Sequence, residues 1–357
     1  MTTLLVTGGA GFIGANLIRH LLANSDASVV NVDALTYAGN LDSLEEVQEN
    51  PRYIFSHTDI VDAQAVKAVF AKYRPDAIVH LAAESHVDRS IASPAPFIQT
   101  NIVGTYNLLE ASRILLESMP PTQQAGFRFL HVSSDEVYGS LGTEDPAFIE
   151  STRYDPSSPY SASKASSDHL VRAWGRTFGL PALITNCSNN YGPFQFPEKL
   201  VPVVILNALR GRSIPIYGTG GNVRDWLYVE DHCAALSRVL RDGIPGETYN
   251  LGGNQELSNH QLAIMICRTL DELLPADRNP NLDANQRVIR SYESLIEFVT
   301  DRPGHDWRYA MDTTKVREQL GWTAEHRLAG GLRKTVQWYL DHPTWWQRIE
   351  SGAYQAR

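Results

Sequence analysis

The sequence predicts an α/β protein: a doubly wound parallel sheet covered by helices on both faces, followed after about residue 187 by a smaller mixed α/β unit. Three observations predict it. Short apolar runs alternate with stretches of helical periodicity up to Asn186. A glycine-rich turn, GGAGFIG at 8–14, joins the first run to the first helical stretch. Beyond Asn186 the alternation breaks into NNYGPFQFPEK and then into shorter segments punctuated by Pro and Gly. Strand–helix alternation implies crossover connections, hence parallel pairing with helices on both sides of the sheet.

Taken in order, residues 4–7, 28–32, 53–57, 77–81, 129–133 and 182–186 are short apolar or β-branched runs and read as strands. Residues 12–23, 63–72, 100–118 and 160–178 carry apolar residues at helical spacing. NNYGPFQFPEK reads as a loop, and Trp322, Trp338, Trp345 and Trp346 mark a packed C-terminal helix. The division expected is 1–187 for the first unit, with a later return of the chain to it over about 226–252, and the rest of 188–357 for the second.

Composition excludes several classes of function. The 357 residues suffice for one large domain or two ordinary ones. With 43% hydrophobic and 20% charged residues the composition is that of a globular protein. The formal charge of −9 argues against a nucleic-acid partner. Cys187, Cys233 and Cys267 are odd in number and widely spaced, which points to a reducing compartment rather than a disulfide framework or zinc site. The N-terminus lacks a signal peptide's basic and apolar regions, and no run reaches about 18 apolar residues, so a cytoplasmic location without membrane contact is expected. His80, His86, His131 and His169 show no metal-ligand spacing, and no metal is predicted.

Gly9, Gly11 and Gly14 are spaced G-x-G-x-x-G, and Gly8 adds the related G-x-x-G-x-x-G. The motif follows a strand and opens a helix, the context in which glycines let a backbone approach a pyrophosphate at a helix N-terminus. Asp33 ends the second strand about twenty residues after the last glycine, where an acid accepts from ribose hydroxyls. An acid there repels a 2′-phosphate, so the expected cofactor is NAD, on a Rossmann-type sheet.

A second constellation carries chemistry. Phe129, Leu130 and Val132 form a buried-looking strand that runs into Ser134, Asp135 and Glu136. Two adjacent carboxyls at a buried strand end are costly unless used. Tyr160 and Lys164, in YSASK, stand at i and i+4 and share a helix face. An ammonium near a phenol lowers its pKa, so the phenolate can take a proton from a sugar hydroxyl.

GGAGFIG, HLAAESHVDRS, QTNIVGT, SSDEVYG, YSASK, TNCSNNYGP, PEKLVP, RDWLYVED and DRPGHD together resemble the extended short-chain dehydrogenase/reductases, and within them the family of dTDP-glucose 4,6-dehydratases. The resemblance runs to about Trp322. It implies an NAD-dependent hydro-lyase of deoxysugar biosynthesis, acting on a nucleotide-sugar. Such an enzyme oxidises C4, eliminates water across C5–C6 and returns the hydride to C6. It implies Glu136 as the C5 base, Asp135 as the acid for the C6 oxygen, and Ser134, Tyr160 and Lys164 at C4. The family usually has threonine where Ser134 stands, and retained, somewhat reduced activity is expected.

By the same resemblance, Gly8, Gly11, Phe12, Ile13, Gly14, Asp33, Ala34, Leu35, Thr36, Asp59, Ile60, Leu81, Ala82, Ala83, Ser85, Thr100 and Asn190 join Tyr160 and Lys164 around the cofactor. Ser85, Ser134, Asn189, Lys199, Leu200, Pro215, Ile216, Tyr217, Arg224, Asn259, Asp301, Arg302, Pro303, Gly304 and His305 form the substrate set, with Arg224 as a diphosphate clamp. The resemblance also implies a homodimer through the helices at 100–118 and 160–178, with Ile102, Leu109, Leu170 and Trp174 available. A dehydratase of UDP- or CDP-glucose, a nucleotide-sugar 4-epimerase or decarboxylase, and a non-enzymatic NAD-binding regulator stay open as alternatives. The last two kinds are disfavoured by the carboxyl pair and by Tyr160 with Lys164.

Overall fold

The computed structural model describes residues 2–283 and 289–355. Strands β1 (Thr3–Thr7), β2 (Ser28–Asp33), β3 (Tyr53–His57), β4 (Ala77–His80), β5 (Arg128–Ser134) and β6 (Ala182–Cys187) form where expected, with ends shifted by a residue or so. Later come β7 (Asn189–Tyr191), β8 (Ile214–Tyr217), β9 (Val223–Tyr228), β10 (Thr248–Leu251), β11 (Glu256–Ser258) and β12 (Ile296–Val299). Seven strands make one parallel sheet in the order β10-β6-β5-β4-β1-β2-β3. The order reverses between β1 and β4, and ligands of open α/β sheets bind outside the carboxyl ends of strands at such a switch point.

Alternation along each strand feeds two cores. Leu4 and Val6 of β1 face one side, where the helices Phe12–Asn24 and Val229–Asp242 add Leu17, Ile18, Leu236 and Val239. Leu5 faces the other, where the helices Ala63–Tyr73, Thr105–Glu117 and Pro159–Phe178 add Val66, Phe70, Leu108 and Val171. Each fully buried aliphatic side chain contributes about 1.5–3 kcal/mol of transfer free energy. The later chain builds a third core from the helices Leu200–Leu209, Asn259–Leu273, Leu328–Asp341 and Pro343–Glu350, beside the small sheets β11-β9-β7 and β12-β8.

Four expectations need correction. NNYGPFQFPEK is not all loop, because Asn189–Tyr191 pairs in parallel with β9. The C-terminal helix is two helices, broken at His342–Pro343, because proline at the second helix's N1 cannot continue the first. The expected helix over 100–118 begins as a π-helical stretch, Ile98–Gly104, before regular α-helix. Gly104 lies against Ile60, where a Cβ would come within 2.6 Å of the Ile60 side chain. Leu109, offered as a pairing residue, is 0% exposed and packs internally.

The C-terminal segment is pinned back to the loop after β2. Trp345 Nε1 donates to Ser43 Oγ at 3.1 Å, Arg348 Nε to Asp42 Oδ2 at 2.7 Å, and the Tyr354 hydroxyl to the Tyr37 carbonyl.

Candidate active site

A cleft of about 340 Å³ opens at the carboxyl ends of β1, β4 and β5. Its floor is the glycine turn. Gly8 has φ +70°, and a Cβ there would sit 2.7 Å from the Ala82 amide nitrogen. A Cβ on Gly14 would fall 2.1 Å from the Gly8 carbonyl oxygen. Only glycine lets the turn press this close and leave its backbone facing the cleft. The helix Phe12–Asn24 has Gly11 as its N-cap and no side-chain cap, so its first amides are open to an anion. Asp33 accepts from the Ala10 amide at 2.9 Å and the Leu35 amide at 2.8 Å. Burial raises its pKa, and these two bonds pull against that shift. A cradle that a Cβ would fill and an uncapped helix start fit the pyrophosphate of a dinucleotide, and an acid at the end of β2 fits one without a 2′-phosphate.

β5 delivers the second constellation to the same cleft. Ser134 ends the strand and caps the short turn Asp135–Tyr138, accepting from the Glu136 amide at 3.3 Å. Its hydroxyl donates to Asp135 Oδ1 at 3.2 Å. Burial, then the neighbouring Glu136, holds the Asp135 carboxyl well above its ordinary range. Burial also raises Glu136, but Arg224, Arg302 and Lys199 pull it back. Two adjacent carboxyls therefore differ in proton affinity, the pattern of an acid beside a base.

The helix Pro159–Phe178 starts at a Ser158–Ser161 capping box with proline at N1, which fixes where Tyr160 and Lys164 emerge. Lys164 Nζ donates to the Val132 carbonyl at 2.9 Å. Burial lowers its pKa, and Asp168, one turn along the helix, supports the charged form. The simple expectation that Lys164 lowers the Tyr160 phenol is not what dominates here. Burial, with Glu136, pushes that phenol well above its ordinary value, and a hydrogen bond to Ser134 pulls it down. The physical reason is burial of the phenol, with the ammonium turned to a backbone carbonyl.

The cleft brings together Gly8, Gly11, Phe12, Ile13, Gly14, Asp33, Ala34, Thr36, Asp59, Ile60, Leu81, Ala82, Ala83, Ser85, Thr100, Ser134, Asp135, Glu136, Tyr160, Lys164, Asn189, Asn190 and Lys199. Leu35 is not among its walls. The rest of the substrate set does not line this cleft. Arg224, 4% exposed, donates to the carbonyls of Val223, Asp306 and Trp307 and lies over the Tyr309 ring. Its charge reaches both carboxyls, yet as placed its guanidinium is engaged by backbone rather than offered as a clamp. Arg302 pairs with Asp88 at 3.2 Å, and its buried Nε has no partner among the described residues. His305 Nδ1 meets Asp301 Oδ1 at 2.7 Å, and Pro303 and Gly304 complete that turn. Tyr217 reaches Asp88 at 3.5 Å, and Pro215 lies exposed on β8. Asn259 opens its helix with its amide on the Asn222 carbonyl. Ile216 is 1% exposed within the third core, so what it can offer a ligand is backbone. Leu200 packs against that same core.

Sequence reasoning missed Glu84, Cys187, Gln195, Phe196 and Glu198, all of which line the cleft. It also missed Asn101, whose side chain bonds Glu84 N, Glu84 O and the Ser163 hydroxyl and so fixes the loop after β4. Most of them lie within or beside quoted motifs, HLAAESHVDRS, QTNIVGT, TNCSNNYGP and PEKLVP, and the signal was there in position but not in residue chemistry. Among the described residues no group of three or more His, Cys, Asp or Glu is placed to hold a metal ion.

Comparison with known proteins places this geometry. The family described as GDP-mannose 4,6 dehydratase matches residues 5–335. The chain is 58% identical to the dTDP-glucose 4,6-dehydratase of Neisseria meningitidis serogroup B, over 99% of this chain and 98% of that one. It is 55% identical to a dTDP-glucose 4,6-dehydratase of Escherichia coli, over 98% and 97%. The crystal structure of the Bacillus anthracis dTDP-glucose 4,6-dehydratase in complex with NAD superimposes with a TM-score of 0.84 at 39% identity, covering 98% of this chain and 100% of that one. The family match begins in β1 and ends within the helix Leu328–Asp341, so it takes in every strand described above: the chain belongs to the GDP-mannose 4,6 dehydratase family.

Proposed function

We infer that the protein is an NAD-dependent hydro-lyase that converts dTDP-glucose to dTDP-4-keto-6-deoxyglucose. The observation that carries this is the Asp135–Glu136 pair in one cleft with Tyr160, Lys164 and the glycine cradle. Relatives more than half identical end to end carry that activity in their names, and related structures hold NAD.

NAD, when bound, supplies a reversible hydride acceptor at the sugar. The chain's own residues move the protons. Tyr160, beside Ser134, is the group placed to take the proton of the C4 hydroxyl, and the hydrogen bond to Ser134 is what pulls its phenol down against burial. A ketone at C4 makes the C5 proton acidic. Glu136, raised by burial but pulled back by Arg224, Arg302 and Lys199, is the carboxyl of the pair suited to remove it. Asp135 keeps its proton and gives it to the C6 oxygen, which leaves as water. Residues 1–187 with about 226–252 serve as the cofactor unit in this reading, and the remainder as the sugar-nucleotide unit. No helix among the described residues is long and apolar enough to cross a membrane, and we place the protein in the cytoplasm. We also assign a homodimer, formed through exposed Tyr106, Ile114 and Phe178, with Trp174 between Tyr106 and Phe178 and half-buried Leu170 one turn before it, in place of Leu109.

The test is incubation with dTDP-, UDP- and CDP-glucose. The expected result is a 4-keto-6-deoxy product from dTDP-glucose without net NADH. Deuterium placed at C4 should reappear in the C6 methyl of the same molecule. Formation of the C4 epimer alone would overturn the reading in favour of an epimerase.

A further inference from the structure

Asp168 and His131 take no part in the steps above, yet both side chains are 0% exposed. Asp168 lies one turn after Lys164 on the helix Pro159–Phe178, so the two share a face. Lys164 is itself 4% exposed. A buried ammonium that lacks an opposite charge is strongly disfavoured.

Among the described residues facing this pair, one supplies that charge. On β5, His131 stands 3.2 Å from Asp168, and burial with Lys164 lowers it to about 4, so it is neutral. On β4, His80 is lowered by burial, then by His131 and Lys164, and is neutral too. On β6, burial raises the Cys187 thiol to about 12. The phenols of Tyr138 and Tyr154 are raised by burial and keep their protons. Arg172 is a second cation, donating to the Tyr154 hydroxyl at 2.7 Å. Asp168 is the anion: burial raises its pKa, but His131, Lys164 and Tyr154 outweigh that and hold it below the ordinary range. It accepts from the Tyr154 hydroxyl at 2.8 Å and from Asn186 Nδ2 at 3.4 Å. The same Asn186 nitrogen donates to the Ser134 carbonyl at 3.2 Å.

We propose that Asp168 is a positioning residue for the reaction, the counter-ion that keeps Lys164 protonated on the Val132 carbonyl and, through Asn186, steadies Ser134 at the sugar. The proposal rests on the dehydratase reading and deepens it.

The test is the pH profile of kcat with dTDP-glucose for the full-length protein holding NAD, comparing the parent, Asp168→Asn and Tyr154→Phe. Asp168→Asn should lower kcat about ten-fold or more and move the alkaline limb to lower pH by about one unit or more, as Lys164 loses its proton earlier. Tyr154→Phe removes a hydrogen bond but no charge and should leave that limb in place. An alkaline limb unmoved in Asp168→Asn would overturn the proposal. If Asp168→Asn does not fold, Lys164→Met with Asp168→Asn decides: a folded double variant supports a charge pair, and a double variant equally unfolded overturns it. A parent that makes no 4-keto product refutes the dehydratase reading, while the double-variant comparison still judges the pair.

Discussion

At one end of the cleft, residues 8–36 supply mostly backbone from a single stretch of chain. At the other end, Ser85, Ser134, Asp135, Glu136, Tyr160 and Lys199 bring side chains from separate segments. The first end works by shape: glycines, a helix start and two amides on Asp33. The second works by tuned proton affinity, in which burial raises both carboxyls and distant cations pull Glu136 back. A backbone surface tolerates no added atom, whereas a tuned side chain can lose its chemistry while the fold stays intact. Variants at the two ends should therefore fail in different ways.

The largest effect is expected from Gly8→Val. A side chain at φ +70° with a Cβ 2.7 Å from the Ala82 nitrogen forces the turn apart. Protein purified from this variant should lack NAD by absorbance and show no turnover. NAD retained at parental stoichiometry would break the view that this end is a backbone mould.

Asp135→Asn and Glu136→Gln should keep NAD and each lose about 10²–10⁴-fold in kcat. A single turnover should still show reduced nicotinamide by its absorbance, because Tyr160 and Lys164 are untouched. Product at the parental rate in either variant would remove that residue from the acid–base pair.

Asp33→Ala should weaken NAD by roughly the 1.5–3 kcal/mol of a charge-assisted hydrogen bond, read by calorimetric titration after the cofactor is stripped. Unchanged affinity would shift recognition wholly onto the glycine turn.

The smallest effect is on stability, and it carries a sign. A carboxyl whose folded pKa is raised above its unfolded value stabilises the protein below the unfolded pKa, and that contribution is lost as pH rises through the folded pKa. Asp135 is such a group. Asp135→Asn should therefore raise Tm at pH 8 and lose this advantage near pH 4, as followed by circular dichroism. An advantage of equal size at both pH values would mean that Asp135 is not held above its ordinary range.

The same contrast explains what could be read from the chain alone. The glycine spacing, Asp33 and the strand–helix alternation are local patterns, and the sheet formed as they require. Tyr160 and Lys164 were legible because four residues on a helix always share a face. The burial of Ile216 was not legible because a motif gives position, while burial depends on the helices Leu200–Leu209 and Asn259–Leu273 packing over it. Leu109 failed for a related reason, since helical periodicity does not say which of two apolar faces meets the sheet. Arg224's bonds to Asp306 and Trp307 join residues far apart in sequence, and no local pattern encodes them.

The bonds from Trp345, Arg348 and Tyr354 to Ser43, Asp42 and Tyr37 link the two ends of the chain. On the ribosome, the loop after β2 emerges about 300 residues before its braces. β10, which borders β6, likewise arrives only after residue 247. A nascent chain can pair β1 to β6 while still attached, but the loop beside the glycine turn waits for the final helices. Translation that stops short of Trp345 leaves the sheet's first six strands specified and the brace on that loop missing.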